Sequence, residues 1–286
     1  MNQQRRTRRS DWARWGRATG ITAYAAPMST HQTLELARDA DHPEILRVWL
    51  NRPHRRNAVN DRMMKEVGDV FLALQEDFTT RVVVLGGRGA SFCSGADRKG
   101  DDQPLDPAST EREQRFRHHL GRRAARAIEE CEIPVIGAIQ GHAAGGGCVW
   151  AVSCDFRVCA EDALFWYPEI ELGVPLSWAA TPRLFQEIGM ARARQMVMLC
   201  ERIDGRRAAE WGLVHEAVPA AELDEATERW VQRVLAMPDT ALHMAKTQFR
   251  GYGRAFAQGD VSEADADQIE LARRLPGTRE RFQAGF

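Results

Sequence analysis

The sequence predicts an α/β fold, a layered or spiral arrangement in which strand, turn and helix recur, followed by a helical C-terminal region. Three observations predict it. Short β-branched or alternating runs exchange with stretches of helical periodicity at unequal spacing. Gly-rich turns stand between apolar strands and the helices after them. From about Ala179 onward the chain reads as mostly helical, with Gly189, Gly205, Gly212 and Pro238 as breakers. The 286 residues, 44% hydrophobic and 28% charged, suit one sizeable globular domain with a small appendage and exclude a collagen, coiled-coil or disordered chain.

Residues 33–38 and 44–50 alternate or carry β-branched and aromatic side chains, as strands do, and Asn51-Arg52-Pro53 stops the second. Asn60 or Asp61 caps a helix whose apolar positions Met63, Met64, Val67, Val70, Phe71 and Leu74 share one face. Residues 81–85 form a short buried strand ending at Gly86-Gly87, and residues 99–109, with Pro104 and Pro107, read as a mobile loop. One charged helix is expected from Thr110 to about Glu130. A buried strand then spans 133–139, and Gly145-Gly146-Gly147 opens a helix through Cys148–Ser153. Residues 156–159 and 164–166 are strands again. The expected division is a basic extension over 1–27, an α/β core over 28–219 and a helical region over 220–286.

The formal net charge of −1 provides no overall basic field for nucleic acid or an anionic membrane. It conceals an asymmetry: residues 1–27 hold six arginines against the single acid Asp11, and the remainder is mildly acidic. This stretch resembles a transit peptide in composition. The plainer readings are a disordered tail or a true start at Met28, and an RNA-binding role for the arginines is a minority alternative. Cys93, Cys131, Cys148, Cys154, Cys159 and Cys200 form no CxxC pair, so a reducing, cytoplasmic setting is expected. The 22 residues between Glu132 and Asp155 lack any charge, but their Pro and five Gly suit a buried strand, turn and helix better than a membrane span.

Several motifs fail. Gly86-Gly87-Arg88-Gly89 lacks the Lys-Ser/Thr of a phosphate loop, and there is no GxSxG elbow. His118 and His119 are adjacent and point about 100° apart on a helix, so they share no metal face. Cys148, at a helix start without an evident His partner, reads as packing.

Three segments in order resemble the crotonase (enoyl-CoA hydratase/isomerase) superfamily: RVVVLGGRGASFCSGAD over 81–97, IPVIGAIQGHAAGGGC over 133–148 with CDFR over 154–157, and YPEIELGV over 167–174. NRPHRRNAV over 51–59 and AAEWGLVHEAVP over 208–219 support them. The resemblance implies a crotonase-like spiral of ββα units with a C-terminal helical region that forms a homotrimer, often a hexamer. It implies an acyl-CoA thioester substrate. No metal or redox cofactor is implied, coenzyme A arriving as part of the substrate.

The chemistry suits such segments. Turning a thioester towards its enolate puts negative charge on the carbonyl oxygen, and backbone N–H groups at turns and helix starts are fixed donors for it. By resemblance these donors are the amides of Ala96 and Gly146, with Gly145 alongside. The resemblance also places Arg55 (or Arg56), Asn57 and Ala58 along the coenzyme A, and Ser94, Asp97 and Arg98 around the first donor. For the arginines a solvated turn competes, and for Asp97 and Asp155 a turn-capping role does.

Family hydratases typically use two glutamates. One position is Glu169, after Pro168; the other is Val149, which can neither activate water nor deliver a proton. The resemblance therefore implies one carboxylate, Glu169, as acid/base, with double-bond isomerisation preferred and single-glutamate hydration or non-catalytic acyl-CoA binding as alternatives. Asp101, Asp102, His118 and His119 are the other candidates for a second proton-transfer group. Ser177 stands where dienoyl isomerases and a dehalogenase of the family carry Asp, which disfavours those reactions. Trp178 has two readings, narrowing the acyl pocket or packing.

Overall fold

The first sheet opens with an antiparallel pair, β1 (Leu34–Arg38) and β2 (Ile45–Leu50), with Leu34 opposite Leu50. The structure is a computed structural model that describes residues 31–38, 41–98, 109–256, 265–275, 278 and 281. The basic extension and most of the expected loop at 99–109 lie outside the described residues.

Helix α1 (Asp61–Ala73) starts where the cap predicts, the Met63 N–H donating to Asn60 Oδ1 at 2.9 Å. It buries Met63, Val67, Val70 and Phe71. Strand β3 (Val82–Gly87) is buried on both faces. Next come α2 (Glu111–His118) and α3 (Leu120–Glu130), then β4 (Val135–Ile139), β5 (His142–Ala144) and α4 (Gly146–Ser153). Strands β6 (Phe156–Ala160) and β7 (Leu164–Trp166) lead into α5 (Ala180–Met198), interrupted at Gly189, where φ is 76°. The chain continues through β8 (Ile203–Asp204), α6 (Gly205–Trp211), β9 (Glu216–Val218), α7 (Leu223–Leu235), α8 (Asp239–Phe256) and α9 (Asp265–Arg273).

The large sheet has the order β1-β2-β3-β4-β6-β9, parallel throughout except for β1. The smaller sheet has the order β5-β7-β8. Isolated parallel bridges Val59–Ala96 and Cys93–Ala143 lead up to it. Each turn of the spiral thus places a long strand in one sheet and a short segment in the other layer. The period-two alternation of a strand explains why β3 is apolar throughout. Val83 and Leu85 face the main core with α1, α3 and α4, whereas Val82 and Val84 face Leu223, Trp230 and Val231 of α7.

One expectation needs correction, and a second needs completing. The single helix over 110–130 is broken at His119, which has φ −87° and ψ −3°. The break separates α2, which buries nothing, from α3, which buries Leu120, Ala124, Ala125 and Ile128. The region after Ala179 also contains β8 and β9. At two and three residues they are too short to show periodicity, and pairing supplies what pattern does not, since β9 completes the large sheet's edge against β6. All described elements after Val218 are helical.

Candidate functional site

The two proposed donor segments run side by side because Cys93 ties them together. Its N–H donates to His142 O at 2.8 Å, and its carbonyl accepts the Ala144 N–H at 3.0 Å. Further along the first segment a third strand-like stretch joins it: Val59 N–H donates to Gly95 O and Asp97 N–H donates to Val59 O. These bonds flank Ala96, whose own amide faces away from them on an exposed residue. Gly146 opens α4, so its amide has no acceptor within the helix. Among the described residues neither amide donates to a protein acceptor.

Glu169 stands against this helix start. Gly145 has φ 47° and ψ −120°, and a Cβ on it would lie 2.9 Å from Glu169 Oε1. Only glycine tolerates both that backbone and that approach. The carboxyl is buried, and its Oε2 has no hydrogen-bond partner. Burial raises its pKa to about 7, with only its own backbone opposing the shift. A carboxylic acid held there exchanges its proton near neutrality, which suits a group that must both take and return one.

That shift also costs stability. The neutral acid is accommodated and the anion is not, so the fold is favoured below about pH 4.5 and loses stability as pH rises through about 7, by on the order of 3 kcal/mol. Denaturant unfolding of wild type and Glu169→Gln, near pH 5 and near pH 8, reads this directly. The Gln variant is expected to gain most of that difference at the higher pH and little at the lower.

The other predicted residues divide by what their side chains do. Asn57, at φ 55°, accepts the Arg52 N–H at 2.8 Å and donates to Arg88 O at 2.9 Å and Ser91 O at 2.8 Å, so its side chain braces the turn. Ala58 is buried beside it, its carbonyl accepting from the Arg52 guanidinium. Asp97 forms an ion pair with Arg52 at 2.8 Å, the side chains only 3% and 5% exposed, and so takes the structural reading. Ser94 pins residues 55–56, its N–H donating to Arg56 O at 3.0 Å. Arg55 is half-buried, while Arg56 and Arg98 are exposed. Asp155 is structural, accepting from the Val135 N–H at 2.7 Å and pairing with Lys246 at 2.6 Å. Pro168 is half-buried beside Gly145, and Val149 is buried in α4.

Neither histidine is brought to the glutamate as a free partner. His118 Nε2 lies 3.4 Å from Glu270, and His119 Nε2 lies 3.1 Å from Asp267, both on α9. Asp101 and Asp102 lie outside the described residues. Burial pushes the thiols of Cys93, Cys148, Cys154 and Cys159 up to about 12, which leaves them neutral packing groups.

The model of the enoyl-CoA hydratase/isomerase family matches residues 41–271. The chain belongs to the enoyl-CoA hydratase/isomerase family. It is 30% identical over 251 residues to a short-chain-enoyl-CoA hydratase of Clostridium acetobutylicum, covering 82% of this chain and 94% of that protein. It is 32% identical over 200 residues to a crotonyl-CoA hydratase of Syntrophomonas wolfei, covering 70% and 75%. An enoyl-CoA hydratase structure from Mycobacterium avium subsp. paratuberculosis superposes with a TM-score of 0.78 over 89% of this chain and 96% of that one, at 24% identity, and shares the crotonase fold. This enoyl-CoA hydratase/isomerase family member is therefore an acyl-CoA enzyme with the crotonase spiral. No described helix is long and apolar enough to cross a membrane.

Sequence reasoning missed two features of this family member's site. In the sequence Arg52 reads only as part of a strand stop, because its buried pairing depends on a partner 45 residues away. Gly121 is the second: a glycine inside a charged helix signals close approach. An added Cβ there would lie 1.9 Å from the Trp178 ring.

Proposed function

We propose that this enzyme moves the double bond of an enoyl-CoA thioester through an enolate, with Glu169 as the proton carrier. The Glu169 carboxylate takes a proton from C2 of a 3-enoyl thioester, the electron pair delocalises onto the thioester oxygen, and the Ala96 and Gly146 amides hold that oxyanion. Glu169 then returns the proton at C4, and the double bond comes to rest between C2 and C3. Atoms and charge balance without metal or redox cofactor, and coenzyme A remains part of the substrate.

The observation carrying this reading is the buried Glu169 carboxyl, at about 7 and with one oxygen unpartnered, beside a helix start with an undirected amide. Val149 supports isomerisation over hydration, because its side chain is 1% exposed and brings no second carboxylate. Hydration by Glu169 alone is the second reading, favoured by the hydratase names of the two relatives. On the same proposal, Arg55 lies near the coenzyme A phosphates, the six unpaired cysteines suit a cytoplasmic setting, and the enzyme assembles as a homotrimer or hexamer. Exposed Met244, Phe249, Tyr252, Leu271 and Leu275 on and after the C-terminal helices support assembly.

The test is a panel of enoyl-CoA thioesters assayed separately for double-bond migration and for hydration. Migration from vinylacetyl-CoA is expected to outpace hydration of crotonyl-CoA. Val149→Glu, which supplies the second acid, is expected to raise hydration by roughly tenfold or more. Wild type hydrating crotonyl-CoA as fast as that variant would overturn the isomerase reading.

A further inference from the structure

Trp178 is held in place at unusual backbone cost. Its φ is 60° and that of Ala179 is 56°, two consecutive left-handed residues of which neither is glycine. Such conformations are unfavourable for residues other than glycine and persist only where neighbours over-determine them. Here the neighbours do so from two sides. The Asp265 carboxylate of α9 accepts the Ala179 N–H at 2.7 Å. Arg183, itself paired with Glu129, donates from Nη1 to Trp178 O and Ala179 O, each at 2.9 Å.

The fold has also been cleared for the ring. A Cβ on Gly146 would lie 2.3 Å from Trp178 Cζ3, and one on Gly121 would lie 1.9 Å from Cε2. The indole is thus wedged between α3 and the start of α4, stacked on Trp150 with centroids 6.1 Å apart and planes 28° apart. It is nevertheless only half-buried. Glu169 Oε1 bears on Gly145 and the indole bears on Gly146, so carboxylate and ring stand over adjacent residues of one helix start.

From this juxtaposition we propose that Trp178 is the end wall of the acyl pocket and restricts the enzyme to short acyl groups. The inference rests on the assignment of Gly146 as an oxyanion donor. A thioester oxygen on that amide puts C2 within reach of Glu169, and the rest of the chain must then run against the indole. Removing the ring opens space for further methylenes, each of which adds to binding when taken from water.

The probes are the unreactive butanoyl-CoA and decanoyl-CoA, titrated calorimetrically against wild type, Trp178→Ala and Trp178→Phe. Vinylacetyl-CoA and 3-decenoyl-CoA turnover is followed in parallel. Wild type should favour the short thioester in both Kd and kcat/KM. Trp178→Ala should shift the decanoyl-to-butanoyl affinity ratio roughly tenfold or more towards the long chain. Trp178→Phe, which retains an aromatic ring against Trp150, should fall between and guards against a folding defect in the alanine variant. Equal affinity of wild type for both chain lengths, or the same chain-length ratio in all three proteins, would overturn the wall. Because binding is read without turnover, a wrong assignment of Glu169 leaves this test standing: the isomerase reading then fails in the assay while the chain-length ratio still shifts.

Discussion

Glu169→Gln is expected to lower kcat by roughly 10²–10⁴-fold while leaving acyl-CoA affinity nearly intact. Glutamine keeps the shape of the buried side chain against Gly145 but cannot carry a proton between two carbons. The pH profile separates loss of chemistry from loss of structure. In the wild type, kcat/KM should rise with pH through about 7, since the carboxylate must be ionised to take the first proton and burial holds its pKa there. In the variant that limb should vanish along with the rate. Steady-state kinetics with vinylacetyl-CoA across the pH range, beside butanoyl-CoA titration, reads both. Full activity in the variant would remove Glu169 from the mechanism.

Asp97→Ala is expected to destabilise the fold by on the order of 3–5 kcal/mol, the cost of breaking a buried ion pair by removing one partner. Arg52 and Asp97 are among the least exposed charged side chains of the structure, at 5% and 3%. The same arginine holds the Ala58 carbonyl, and its N–H is held by Asn57 Oδ1. It is therefore the strut between the turn over 53–59 and the segment carrying Ala96. Loss of the pair should lower the denaturation midpoint and also loosen one oxyanion donor, so that kcat falls in the surviving folded fraction. Arg52→Met combined with Asp97→Leu removes both charges at similar volume and should recover most of the stability. A double variant no more stable than Asp97→Ala would show that the pair's geometry, and not an abandoned charge, was lost.

The contrast between Glu169 and Asp97 shows what was legible in the sequence. Glu169, Gly145 and Gly146 are legible through the resemblance of their ordered motifs to the family; of the local signs, only the helix start at the glycine triplet is carried by composition alone. The strands over 81–85 and 133–139 could be read because both faces are covered, which forces apolar residues at every position. The role of Asp97 depends on a residue 45 positions away, and the Arg52 guanidinium enters no periodic pattern. Trp178 remained between two readings because an indole in a pocket and an indole in a core look alike in one dimension. The room made for the ring at Gly121 and Gly146 shows only in three dimensions. Strands β8 and β9 went unread because their conformation comes from their partners and not from their own residues.

The bonds made by the last part of the chain have a consequence for synthesis. Asp265 holds the turn at Trp178 and Ala179, Thr278 Oγ1 donates to Gly173 O at 3.1 Å, and Arg281 reaches Glu171 O. A chain emerging from the ribosome completes both sheets by Val218 and can bury its two cores before these residues exist. The two turns beside the carboxylate receive these fastenings only once residues 265–281 have been made. The bracing of the turns beside Glu169 is therefore completed after the two cores can form.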